Sequence, residues 1–87
     1  MMEKHPKQIE KYSGSLKELA EDIGNLHYES LAEFLNHLST KLDNDSDKDM
    51  SAGRIKLSDT LVEAEYYVRH AADQISIAWT ISKPFMT

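Results

Sequence analysis

The chain has no cysteine. A disulfide is therefore impossible, and so is a zinc or iron–sulfur site built on thiolates. Glycine occurs three times and proline twice, with both prolines near the ends. Phosphate cradles and dinucleotide-binding turns need glycines in a fixed pattern that is absent here. There is no Asn-Gly or Asp-Gly turn and no sustained apolar–polar alternation, so strand and hairpin signals are missing. No run approaches the roughly 18 apolar residues of a membrane-spanning helix. Basic residues are outnumbered, 10 against 15 acidic, for a net charge of −5. That balance argues against a nucleic-acid binder, which needs a basic face, and against docking on anionic membranes.

What is present is a soluble-type composition, 40% hydrophobic and 29% charged over 87 residues. This is too apolar for a disordered chain. A single domain of this size buries only about 60–65% of its unfolded surface, so close helix packing or self-association is expected to supply stability. The segment Met1 to Lys11 is polar and lacks the apolar core of a secretory signal, which makes a cytoplasmic protein the expectation.

Helical spacing is clear in three places. Ile9, Tyr12, Leu16, Leu19, Ile23 and Leu26 recur at steps of three and four, predicting a helix over about 6–23. Pro6 suits its first turn, whereas Ser15 and Glu18, in capping-box spacing, offer a later start. Leu31, Leu35, Leu38 and Leu42 predict a second helix over about 26–43, with Tyr28 and Phe34 on its shoulders. Its stripe is rotated from the first by about a quarter turn at 100° per residue. Gly24-Asn25 lies at the change of phase, so a break or sharp kink is favoured there over one long helix. The segment 43–53, rich in aspartate, reads as an acidic linker.

The third helix, over about 54–82, carries Leu57, Leu61, Ala64, Val68, Ala71, Ile75 and Ala78 at alternating steps of four and three. That is the seam of antiparallel helices, and its alanines would admit a close neighbour. The expected fold is all-α: a three-helix antiparallel bundle with a long C-terminal helix. Its first two helices are either a kinked pair or continuous. The third helix, roughly 42 Å against about 27 Å for the others, favours a homodimer that completes a larger bundle.

The aspartate segment invites a calcium reading. From Asp43, the residues Asp45, Asp47 and Asp49 fall at loop positions three, five and seven of an EF-hand pattern. Lys48 stands where the turn needs glycine, and Arg54 where a bidentate glutamate closes the shell. A second candidate is the helical stripe of Glu63, Tyr66, His70 and Asp73, where carboxylate, imidazole and phenol could bind a metal or exchange protons. A solvated helix flank has the same composition. No histidine pair has helical zinc spacing, and no serine sits in a nucleophile elbow. No catalytic residue and no cofactor are expected.

The third helix is apolar on a second side as well, at Ile55, Val62, Tyr66 and Ile77. A helix apolar on two faces is central in a bundle or shared with another chain. The expected function is therefore a non-enzymatic protein–protein interaction or regulatory module acting through those four residues. The alternative is a small metal- or ligand-binding protein using Asp43 to Asp49 or the Glu63, His70 and Asp73 stripe.

Overall fold

The computed structural model describes residues 5–85. Among them are three helices, α1 Leu16–Gly24, α2 Tyr28–Ser51 and α3 Ile55–Ser82, then a single 3-10 turn, Lys83–Phe85. No described residue is in a strand, so the all-α class stands.

The first helix starts at the later of its two possible sites. Ser15 Oγ accepts from the Glu18 N–H at 3.1 Å, and Glu18 Oε1 accepts from the Ser15 N–H at 3.1 Å. This reciprocal box satisfies two donors that the first helical turn leaves open. Upstream, Tyr12 folds back so that its hydroxyl donates to Asp22 Oδ2 at 2.5 Å. The ring passes so close to Gly14 that a Cβ there would stand 2.8 Å from Tyr12 Cε1. The expected helix over 6–14 is thus replaced by a non-helical segment held by side chains. The helix ends at Gly24, where the Asn25 N–H bonds the Glu21 carbonyl at 3.0 Å. The interruption falls where the apolar stripe changes phase.

The second helix does not stop at 43. It continues through the aspartates to Ser51, which corrects the expected linker over 43–53. Aspartate is a poor helix former, but packing overrides propensity. Ala32, Ser39 and Ser46 are buried at seven-residue intervals, and Asp49 is buried one turn on. The packed face of α2 therefore outlasts its leucines by two turns. Lys41 Nζ also donates to Asp45 Oδ1 at 2.6 Å across one turn.

The turn into α3 is a Schellman motif around Gly53, whose φ is +83°. The Gly53 N–H bonds the Met50 carbonyl at 3.0 Å and the Arg54 N–H bonds the Asp49 carbonyl at 2.8 Å. Arg54 Nε also donates to Asp49 Oδ1 at 2.8 Å, clasping the turn with a side-chain pair.

Helices α2 and α3 run antiparallel, because Ser46 meets Ser58 and Ser39 meets Glu65. Their seam repeats every seven residues, with Ala32, Ser39 and Ser46 against Ser58, Glu65 and Ala72. Small side chains let the backbones approach closely. Among the described residues, only Ala32 and Ala72 are buried hydrophobic residues. Ala64 and Ala78 are half-buried beside the seam and Ala71 is exposed. The close approach thus uses a different row from the expected alanines. No residue of α1 is buried, so the expected three-helix bundle is a two-helix hairpin with α1 beside it. The radius of gyration is 15.6 Å, against about 12 Å for a compact domain of this length.

Candidate functional site

The four residues on the second apolar side of α3 are all open. Ile55, Val62, Tyr66 and Ile77 range from 47% to 61% exposed. Neither α1 nor α2 covers them. Tyr66 contacts its own helix neighbours: its ring centroid is 5.4 Å from that of Tyr67, edge-on, and 6.3 Å from that of His70, nearly parallel. At about 100° per residue the four lie on a broad arc rather than a narrow stripe, with Ile55 and Val62 nearest α2 and Ile77 furthest round.

The acidic candidates do not come together. On a helix these aspartates fall on two different sides, Asp43 with Asp47 and Asp45 with Asp49, so the loop that a calcium site needs is not formed. Asp45 is held by Lys41, and that hydrogen bond, with the charges of Lys41, Lys48 and His5, keeps its carboxyl below the ordinary aspartate value. Asp49 is taken by Arg54. Glu63, His70 and Asp73 are all exposed, and Glu63 and His70 are two helical turns, about 10 Å, apart. Among the described residues no three histidine or acidic side chains are grouped so as to hold an ion.

The hairpin seam holds a polar cluster instead. Glu65 is 7% exposed, yet all of its partners are in place. Ser39 Oγ donates to Glu65 Oε1 at 3.1 Å, and Arg69 pairs with the same oxygen from the next turn. Two turns away, the Ser46 and Ser58 hydroxyls lie 2.9 Å apart and each reaches the other's backbone carbonyl. No buried side-chain polar atom lacks a partner among the described residues. The sequence carried a signal for this seam, the seven-residue spacing of serine, alanine and Glu65. A search restricted to apolar residues passes over it.

The leucines that define the apolar stripes lie beside this seam. Leu31, Leu35 and Leu42 on α2, and Leu57, Leu61, Val68 and Ile75 on α3, are each half-buried, and Leu38 is 38% exposed. In an antiparallel pair with matching seams, the rows flanking the seam on the same rotational side fall on one face of the hairpin. These leucines therefore form an apolar face on one side of the hairpin, which on α2 ends at Leu42.

The remaining aromatic residues are peripheral. His27 caps α2, its Nδ1 accepting the Glu29 N–H at 3.2 Å. Its ring lies 4.2 Å from that of Trp79, edge-on, tying the start of α2 to the end of α3. Lys83 Nζ stands 6.0 Å from the Trp79 ring. Phe34, on the shoulder of the second leucine stripe, is 38% exposed, and Phe85 lies open. Met86, which follows Phe85 beyond Pro84, lies outside the described residues. Near α1, the Asp22 hydrogen bond, slight desolvation and the Asp22 charge raise the Tyr12 hydroxyl above the ordinary tyrosine value.

No described helix is long and apolar enough to cross a membrane. No family model, curated protein or solved structure matches the chain.

Proposed function

We propose that this chain is a small non-catalytic interaction or regulatory module that works as a homodimer and recognises a protein partner through the outer side of α3. The supporting observation is the exposure of Ile55, Val62, Tyr66 and Ile77 on a helix already packed against α2 along Ser58, Glu65 and Ala72. Exposed tyrosine with aliphatic neighbours suits a protein contact, since the ring contributes area and the hydroxyl can stay wet. The net charge of −5 favours a protein surface over nucleic acid as the partner.

Tyr66→Ala tests the reading. Tyr66 is 61% exposed, so its truncation should leave the thermal midpoint within a few degrees of the parent. A protein captured by the parent chain should be lost by the variant. Unchanged capture together with a marked fall in midpoint would show that Tyr66 is plain core.

A further inference from the structure

The α2–α3 hairpin is one layer of helices, whereas stable domains pack at least two layers around a core. We propose that a second copy of this chain supplies the missing layer, docking on the face formed by Leu35, Leu42, Leu61, Val68 and Ile75 so that two hairpins close into a four-helix bundle. This rests on the homodimeric reading above and adds which face is used, leaving the outer side of α3 free for another protein.

Extent is the first argument for this occupant. The face runs along α3 from Leu57 to Ile75, about 27 Å. Helix α1 has nine residues and spans about 14 Å, about half of that length. The segment before it brings His5 within electrostatic reach of Asp45, yet Ile9 remains half exposed and no leucine of the face becomes buried. A second hairpin matches the face end to end by identity.

Area is the second. The chain exposes 7220 Å², whereas a compact monomer of 9.9 kDa exposes about 5,200 Å². The excess, about 2,000 Å², is the share one partner contributes to a large obligate interface.

Shape is the third. Leu31 and Leu38 flank the face on α2, while Ala64 and Ala71 flank it on α3. A two-fold axis running along the helices sets α2 of each copy over α3 of the other, so that large side chains meet small ones. All four helices then have antiparallel neighbours, as in an up-and-down bundle.

The native chain has no cysteine, so single thiols report on each face. Ala71 and Tyr66 are both exposed in the protomer and lie on opposite sides of α3. Native mass is measured by light scattering for the parent, Ala71→Cys and Tyr66→Cys, followed by thiol labelling with a small aromatic disulfide. The parent should be a dimer, with the Ala71→Cys thiol reacting about tenfold more slowly than the Tyr66→Cys thiol, as burial requires. A folded but monomeric Ala71→Cys chain that melts below the dimeric parent would also support the proposal, because it differs from the parent at that face by one sulfur atom and loses the stabilisation that the second copy supplies. A monomeric parent at every concentration would overturn both this proposal and the homodimeric reading. A dimer in which Tyr66→Cys is protected, or neither thiol is, overturns this proposal alone.

Discussion

Ser39 and Glu65 meet in the middle of the hairpin, with the serine hydroxyl 3.1 Å from one carboxylate oxygen and 3.3 Å from the Glu65 carbonyl. A charged residue thus occupies a central position of the helix seam, where a hydrophobic residue is usual. Glu65 is satisfied from two sides, by Ser39 across the seam and by Arg69 along its own helix. Sliding α3 by one turn would leave the carboxylate facing apolar side chains, which costs several kcal/mol per buried ion. The pair is therefore a register device, and it should be measurable as a coupling. Ser39→Ala and Glu65→Gln are each expected to lower unfolding free energy by about 0.5–2 kcal/mol, and the double variant by less than their sum, with a coupling of about 1 kcal/mol. Urea unfolding of the four chains gives the cycle. Additive losses would show that the contact carries no energy of its own.

Ser46 and Ser58 behave differently because each is the other's partner. Replacing both by alanine removes donor and acceptor together, and alanine is the better helix former. The Ser46→Ala/Ser58→Ala chain should keep its stability within about 1 kcal/mol of the parent or gain slightly. Ser58→Leu should lose about 1–3 kcal/mol, because a seam that admits serine leaves no room for four carbons. Calorimetric melts separate the two outcomes. A Ser58→Leu chain as stable as its parent would mean that the helices are not closely packed there.

Two glycines make contrasting predictions. Gly53 has a φ of +83°, so Gly53→Ala should cost about 1–2 kcal/mol through backbone strain alone. Gly24 lies at the end of α1 with nothing within 4 Å of an added Cβ and no positive φ, so Gly24→Ala should be neutral or stabilising by up to about 1 kcal/mol. Thermal unfolding of the two single variants is sufficient. Equal effects would remove the Schellman turn as the reason for Gly53.

Two ionisable groups give opposite pH dependences. Tyr12 titrates above its ordinary value, so its folded state holds the proton more tightly than the unfolded chain. That contribution is present below the ordinary tyrosine value of about 10 and is lost as pH rises through the folded one. Asp45 titrates below its ordinary value, so its contribution is present above about pH 4 and is lost as pH falls through the folded value. Both effects are small because each group keeps partial contact with solvent. NMR titration of labelled tyrosine and aspartate reads them directly. Asp22→Ala should return Tyr12, and Lys41→Met should return Asp45, to ordinary behaviour. An unmoved Tyr12 titration in Asp22→Ala would mean that the 2.5 Å hydrogen bond is not its cause.

The sequence by itself determined the helical class, the break after Gly24 and the extent of α3, and it offered the Ser15–Glu18 capping box as the later of two starts for α1. Each of these is written in local chemistry: side-chain spacing, cap residues and the lack of turn signals within the helices. It also marked the second apolar side of α3, whose exposure the structure shows while its partner remains a matter for experiment. Only the tertiary structure decided the rest. Aspartates from 43 to 49 look like a linker until Ser46 and Asp49 are seen packed against the start of α3. The leucine rows look like a core until Ser39, Glu65 and Ala72 are found to hold the seam and leave the leucines at its side. Helix–helix contact is a matter of volume and hydrogen-bond pairing between residues far apart in sequence, so hydrophobicity along one strip of chain does not reveal it.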